Sequence, residues 1–183
     1  MNNSIASLGN LAIVAVLDHL DLVSEATAAL LRARTDVAEA CGVAEIDPAM
    51  SDTAAFCEKY QVKPEQCANC VIIKATRGDK VRYAACMILG HTRADVNGLA
   101  RRHLDARKAS FAPMEEAVAL TKMEYGGITP VGLPADWPIL VDGAVAAAEH
   151  VIIGSGIRKS KLIIPGKILA VLPGAVVLPG LGR

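Results

Sequence analysis

The chain has 183 residues, a formal net charge of zero, and a composition that is 52% hydrophobic but only 3% aromatic. A chain of this length can bury one sizeable core, made here mainly of aliphatic side chains. The zero net charge and the few aromatic rings exclude a chain-wide surface for a long nucleic-acid backbone or for stacked bases, so any contact with RNA must be local.

The first half of the chain predicts a flank, two helices and a hairpin. Gly42 ends the first helix, whose spacing of apolar residues is amphipathic, and Asp52 is the expected N-cap of the second. Gly78 and Asp79 are turn formers between two β-rich runs and therefore predict the hairpin. The predicted elements are an extended segment (1–20), a helix (22–40), a short strand (43–46), a helix (52–60) and hairpin strands (70–75 and 80–89).

The second half alternates helices and strands around one interruption. Its predicted elements are helices at 95–104 and 114–121 with a short strand at 107–110 between them, then strands at 139–141, 150–153, 162–164 and 175–178, and a helix at 167–172. Hairpin and crossover connections both occur in this order. The pattern favours a single α+β domain with a mixed, curved sheet and packed helices over a doubly wound parallel fold.

The interruption is a loop rich in glycine and proline, residues 126–134, with the sequence Gly-Gly-Ile-Thr-Pro-Val-Gly-Leu-Pro. Gly126 and Gly127 can adopt backbone angles closed to other residues, and Pro130 stiffens the loop. Amide groups held in this way can stabilise a carbonyl oxygen that becomes negatively charged during ester hydrolysis. The loop chemistry taken alone is also typical of an ordinary structural loop.

A cluster of basic residues lies at the end of the helix predicted at 95–104 and just after it. It consists of Arg101, Arg102, His103, Arg107 and Lys108. The cluster could contact tRNA phosphates, and it could equally be a solvated helix end whose cations complement the helix dipole. Both interpretations stay open from the sequence.

The cysteines and histidines indicate neither a metal site nor a cofactor. Cys67 and Cys70 form a CxxC pair without the second pair that a zinc ribbon needs, so the sequence predicts buried or half-buried thiols. The histidines lack metalloprotease spacing, and no serine lies in a nucleophile elbow. Five cysteines in an odd, scattered set and the absence of a charged leader or a membrane-spanning run predict a cytoplasmic protein.

Several of these segments, in order, resemble the YbaK/prolyl-tRNA synthetase-associated editing domain. Residues 126–133 are similar to the family's G-G-[IV]-[ST]-P-x-G loop, and residues 66–73 resemble its Q-V-x-K-[ST]-L-V strand. The start of the helix at 52–54, the strand ending at Asp142 and the small-residue turn at 154–158 correspond in the same order. The resemblance covers residues 51–178, preceded by a less certain flank at 1–50, within one domain spanning 1–183.

The resemblance implies a trans-acting deacylase that hydrolyses the ester of a mischarged tRNA, with proline tRNA as the expected carrier and a synthetase as a possible partner. It implies no cofactor, no metal and no membrane. The residues expected to act in catalysis are Gly126, Gly127, Ile128 and Asn69, with the Gly127 and Ile128 amides stabilising the oxyanion. The residues expected to bind substrate are Thr53, Thr129, Pro130, Gly132, Asp142, Ser155 and Gly156, with Arg101, Arg102, Arg107 and Lys108 on the RNA.

The chain departs from the family pattern at one position. Asn69 stands where the family has a lysine that positions the terminal nucleotide, so a positive charge is missing there. Lys74 is predicted on the opposite face of the strand, and Lys122, just before the loop, could return a cation. The alternative function is therefore a non-catalytic binding module for aminoacyl-tRNA or a related small ligand.

Overall fold

The computed structural model describes residues 8–183 and has an α+β fold with two sheets. The strands are β1 (Val14–Ala15), β2 (Gly42–Glu45), β3 (Ala68–Arg77), β4 (Lys80–Leu89), β5 (Lys108–Phe111), β6 (Ile139–Asp142), β7 (Val151–Gly154), β8 (Ser160–Ile164) and β9 (Ala175–Leu178). The α-helices are α1 (Glu25–Ala33), α2 (Thr35–Glu39), α3 (Thr53–Tyr60), α4 (Arg101–His103), α5 (Met114–Thr121), α6 (Gly143–Ala147) and α7 (Gly166–Leu169). The predicted mixed α+β class is confirmed.

The two sheets differ in how their strands run. The smaller sheet has the order β1-β2-β8-β7 and is antiparallel throughout. The larger sheet has the order β5-β3-β4-β6-β9, in which β6 is parallel to β4 and β9 is parallel to β6. Hairpin connections and crossovers therefore both contribute, as the sequence predicts.

The hairpin of β3 and β4 is the longest paired element. Ten residues of each strand pair in register, and the turn contains Gly78 at φ +59°, a conformation that glycine adopts without strain. The predicted hairpin is confirmed and is longer at its first strand than predicted. β5 pairs only with residues 73–76 of β3, so the first residues of β3 have one edge without a strand partner.

One predicted helix is two helices in the structure. Residues 22–40 divide into α1 and α2 at Arg34, whose backbone is not helical (φ −124°, ψ 75°). The Arg34 guanidinium binds the Asp36 carboxylate with two hydrogen bonds of 2.7 and 2.8 Å at this break. Local periodicity could not show the break because the apolar face continues across it through Leu31 and Val37, both fully buried.

The core is aliphatic and lies where the two sheets meet their helices. Its largest cluster joins α1 and α2 to β7, β8 and β6, with Leu31, Val141 and Leu162 fully buried. The two sheets meet where Cys67, just before β3, forms a bridge with Ile152 of β7. That seam, beside the unpaired edge of β3, leaves a space that side chains do not fill. None of the helices between residues 8 and 183 is long and apolar enough to cross a bilayer.

Candidate functional site

A cavity of about 440 Å³ opens at the seam between the two sheets. Its volume is within the range of roughly 300–1,000 Å³ that is typical of small-molecule sites. Polar, glycine and aromatic lining is contributed by Ser51, Asp52, Thr53, Phe56, Asn69, Tyr125, Gly126, Phe111 and Lys161. Apolar lining is contributed by Val71, Ile72, Ala112, Met114, Ala117, Ile128, Ile152 and Ile153. The cavity lining therefore combines polar and apolar groups.

Asn69 and Thr53 form a hydrogen-bonded pair in the cavity lining. The Thr53 hydroxyl donates to Asn69 Oδ1 at 3.0 Å, and both side chains line the cavity. Thr53 is held there because Asp52 caps α3 by accepting the Ala54 amide at 3.0 Å, which confirms the predicted cap. The hydrogen bond from Thr53 fixes the orientation of the Asn69 side-chain amide and leaves its NH₂ group available as a donor. The amide is uncharged, so it does not replace the positive charge of a lysine.

The glycine-proline loop places two of its predicted residues at the cavity. Gly126 (φ +86°) and Ile128 line it, and the Ile128 amide has no hydrogen-bond acceptor among residues 8–183. The Arg158 guanidinium ties this loop down by donating to the Tyr125 carbonyl at 3.2 Å and to the Pro48 carbonyl at 3.0 Å. Arg158 therefore links the start of the loop to the segment before α3.

The predicted role of the Gly127 amide is wrong in this structure. The Gly127 N–H donates to the Glu124 carbonyl at 2.9 Å, and the Gly127 carbonyl accepts from the Gly156 amide at 2.7 Å. A Cβ at position 127 would lie 2.5 Å from the Ile157 carbonyl oxygen. Gly127 is therefore a packing glycine, and the Ile128 amide is the one of the predicted pair that is left to meet a ligand.

Gly154 of β7 makes room for this loop. A Cβ there would overlap the Gly127 carbonyl oxygen and lie 2.5 Å from the Ile128 carbonyl oxygen. The loop therefore rests directly on the backbone of the smaller sheet. In the sequence, Gly154 indicates only a small-residue turn, and no local pattern signals this contact.

Six of the predicted substrate-binding residues lie outside the cavity lining and serve the fold. Asp142 caps α6 through the Ala144 amide at 2.9 Å and also accepts the Gly182 amide at 3.0 Å. Ser155 bonds the Ser160 hydroxyl at 2.7 Å, and Gly156 packs against the Ser24 side chain. Thr129 and Pro130 are buried within the loop, and Gly132 (φ +95°) packs on the backbone of α1. The structure therefore does not bring these six residues to the cavity, and Asp142, Ser155, Gly156 and Gly132 make a cap, a hydrogen bond or a close packing contact instead. A role of the six in substrate binding stays a prediction.

Lys161 is the cation of the cavity, and the sequence analysis did not identify it. It lies on β8 with 8% of its surface exposed, and its ammonium donates to the Ser51 carbonyl at 2.9 Å. The ammonium also lies 5.5 Å from the centre of the Phe56 ring. Burial lowers the pKa of Lys161 below its ordinary value of 10.5, and the nearby Cys67 and Asp52 partly oppose that shift. In the sequence, Lys161 is a single lysine just before an apolar run that predicts a strand. A lysine in that position is also typical of an edge strand and therefore does not indicate a site.

The other two lysines considered from the sequence lie elsewhere. Lys74 donates to both Glu116 carboxylate oxygens at 2.9 Å, and Tyr83 donates to the same carboxylate at 2.6 Å. Lys122 is exposed at the C-terminal end of α5 and does not line the cavity. Neither side chain therefore replaces the charge missing at Asn69.

The residues of the basic cluster do not line the cavity, whereas Cys67 and Cys70 do. Arg102, Arg107 and Lys108 are exposed, while Arg101 is half-buried and donates to the Asn97 carbonyl. Lys108 pairs with Thr76, seven residues along β3 from Asn69 and so about 23 Å from Asn69, although Phe111 of the same strand as Lys108 lines the cavity. Cys67 lies beside Cys57 (Sγ–Sγ 3.7 Å) and not beside Cys70. Burial raises the pKa values of the Cys41, Cys67 and Cys86 thiols to about 12, so these thiols are unreactive near neutrality.

The fold is an α+β domain with a cavity between its two sheets, and comparison with known proteins identifies its family. The chain belongs to the aminoacyl-tRNA editing domain family, whose model matches residues 47–171. The resemblance inferred from the loop and strand motifs is thereby confirmed. A search of curated proteins finds no significant match.

Solved structures show the same fold. The crystal structure of the hypothetical protein APE2540 matches with a TM-score of 0.75 and 21% identity, over 87% of this chain and 100% of the other. A candidate trans-editing enzyme for prolyl-tRNA synthetase matches with a TM-score of 0.71 and 20% identity, over 88% of this chain and 99% of the other. At these identities the likeness concerns the fold.

Proposed function

We propose that this protein is an aminoacyl-tRNA deacylase that acts in trans on a mischarged tRNA, with proline tRNA as the carrier. The cavity carries the proposal, because it brings together the glycine-proline loop, Asn69 and a buried cation at the seam of an editing-family fold. The candidate trans-editing enzyme that shares the fold supports the same substrate class. A binding module without turnover is the alternative, favoured by the uncharged Asn69.

The lining suits an aminoacyl ester with a small side chain. Val71, Ile72 and Ala117 contribute apolar surface, while Thr53 and Asn69 offer hydroxyl and amide groups. A polar group that enters such a cavity must find hydrogen-bond partners, and the ester and the ribose hydroxyls can use these groups. The apolar surface would hold the amino acid side chain, and the polar groups would hold the ester.

The chemistry would depend on position and backbone electrostatics. Asp52 is the carboxylate of the lining, and it is engaged as the cap of α3. Water would attack the ester carbon, and the proton it gives up would reach the departing ribose oxygen directly or through the neighbouring ribose hydroxyl. The Ile128 amide would donate to the oxyanion formed in between, which is a type of contact worth about 100-fold in rate.

The cavity mouth has an aromatic rim. Phe111 and Tyr125 both line the cavity and are 62% and 59% exposed, although the chain has few aromatic residues. Exposed rings beside a site for the end of an RNA chain can stack on unpaired bases, at about 1–3 kcal/mol per base. We therefore place the terminal adenine of the tRNA against this rim, where the sequence analysis expected little stacking.

Replacing both rim residues with alanine should raise the KM for charged tRNA by about 10-fold or more while leaving kcat nearly unchanged, since stacking contributes to binding before and during the reaction. Steady-state deacylation at a range of tRNA concentrations measures the split. Leu120→Ala is the matched control, because Leu120 is also exposed but does not line the cavity. If the double variant has the same KM as the wild type, the terminal adenine does not stack on Phe111 and Tyr125.

A deacylation panel tests the proposed function directly. Proline tRNA charged with alanine, serine, cysteine or proline is incubated with the protein, and release of the amino acid is followed over time. We expect release of at least one small non-cognate amino acid and retention of proline. Binding of the charged tRNA without release, with release appearing only in an Asn69→Lys variant, would establish the binding module. Neither binding nor release would reject both functions.

A further inference from the structure

Lys161 is a buried cation without an anionic partner. Among residues 8–183 no carboxylate forms an ion pair with it, and its hydrogen bond to the Ser51 carbonyl uses one of three ammonium donors. The Arg158 guanidinium nearby adds a second positive charge that disfavours protonation of Lys161. A buried charge left unpaired is costly for the folded state, so its retention points to a ligand group that completes the site.

Strand register aims the Lys161 side chain at the loop. Lys161 is the direct antiparallel partner of Gly154, and residues directly opposite one another project to the same face of a sheet. The carbonyls of Gly127 and Ile128 lie on that face, against Gly154. Lys161 on β8 therefore lies on the same sheet face as the loop that carries the Ile128 amide. The loop packs on Gly154 of the neighbouring strand β7.

The Ser51 hydroxyl adds a second polar group that lacks a partner. It is buried, lines the same cavity and has no hydrogen bond within the part of the chain that the structure describes. A Cβ on Gly126 would lie 3.3 Å from its oxygen. The Ser51 hydroxyl, the Lys161 ammonium and the loop thus surround one point of the cavity wall.

We propose that Lys161 binds the reacting acyl group, its ammonium donating to the ester carbonyl oxygen and stabilising the negative charge formed there. This rests on the proposed deacylase function. Water attacks the carbonyl carbon and the π electrons move onto the carbonyl oxygen as an oxyanion beside Lys161. Collapse of that intermediate breaks the bond to the ribose oxygen, which takes the proton lost by the water. The products are the free amino acid and the uncharged tRNA, and Lys161 keeps its proton throughout.

The test compares Lys161→Met, Lys161→Arg and the control Lys159→Met on two esters. Lys159 is exposed on the same hairpin and does not line the cavity. The first ester is proline tRNA charged with alanine. The second is alanyladenosine, which carries the same ester but no phosphate. We expect Lys161→Met to lower kcat by about 100-fold on both, Lys161→Arg to retain more activity than Lys161→Met, and Lys159→Met to match the wild type. The melting temperature of Lys161→Met should equal or exceed that of the wild type, because an unpaired buried charge is removed.

Each other outcome contradicts either the role of Lys161 or the deacylase function itself. A loss on alanyl-tRNA with none on alanyladenosine would mean that Lys161 contacts a phosphate. If the wild type cleaves alanyl-tRNA but not alanyladenosine, kinetics on alanyl-tRNA decide. A raised KM with an unchanged kcat in Lys161→Met would also mean that Lys161 contacts a phosphate and not the acyl group. Loss of activity together with a lower melting temperature in both Lys161 variants makes the lysine structural. A wild type inactive on every ester rejects the deacylase function and the role of Lys161 with it, whereas an active wild type with an equally active Lys161→Met rejects the role alone.

Discussion

Gly154→Ala should lower the free energy of unfolding by about 3 kcal/mol and reduce kcat/KM for deacylation by about 100-fold. The added methyl group would overlap the carbonyl oxygens of Gly127 and Ile128, which are backbone atoms that cannot rotate away. The loop must therefore lift from β7, and a shift of about 1 Å at a reacting group can cost about 100-fold in rate. Chemical denaturation and steady-state deacylation of the same preparation measure the two effects.

Gly143→Ala is the matched control for this change. Gly143 also lies outside the left-handed region, and a Cβ there would meet the Pro179 Cα at 3.3 Å and its Cβ at 3.4 Å. It lies at the start of α6, away from the cavity lining, so we expect stability within about 1 kcal/mol of the wild type and unchanged deacylation. A Gly154→Ala protein as stable and as active as this control would mean that the loop is not seated on β7.

The fold could be predicted where the signal is local. The hairpin of β3 and β4, the Asp52 cap and the helix at Met114–Thr121 are each specified by residues within a few positions of one another. The break at Arg34 was missed because it depends on how two helices dock on a sheet, and not on a change in the apolar period. The pairing of β6 between β4 and β9 was likewise outside what local patterns specify.

The site could be predicted only as far as motifs reach. The loop and Asn69 were identified because their order along the chain resembles a family, and Gly126, Ile128, Asn69 and Thr53 do line one cavity. Asp142 was assigned to substrate although it caps a helix, because a sequence cannot show whether a carboxylate faces a cavity or a nearby amide. Lys161 was missed because its relation to the loop depends on pairing with Gly154 across a hairpin and on the seam between two sheets.

Phe56→Ala should lower the free energy of unfolding by about 4 kcal/mol, the largest stability loss we expect from one side chain near the site. Phe56 is 1% exposed and packs with Ile46, Val62 and Ile163, so truncating its ring leaves a hole that the aliphatic neighbours fill only in part. Its ring also lies below the Lys161 ammonium and 5.2 Å from the centre of the Tyr60 ring. Thermal or denaturant unfolding of the purified variant measures the loss.

Phe111→Ala is the informative comparison, since Phe56 and Phe111 are the two phenylalanines of the chain. Both line the cavity, but Phe111 is 62% exposed, so its truncation should change the unfolding free energy by less than about 1 kcal/mol and act on KM instead. Phe56→Leu should recover most of the stability lost in Phe56→Ala, because it refills the core without restoring a ring beneath the ammonium. We expect Phe56→Ala to lower deacylation as well, because the ring packs at the start of the site beside Lys161. Wild-type activity in Phe56→Leu would then show that the ring supports the fold around α3 and Thr53. Low activity in that stable variant would show that the ring acts through Lys161.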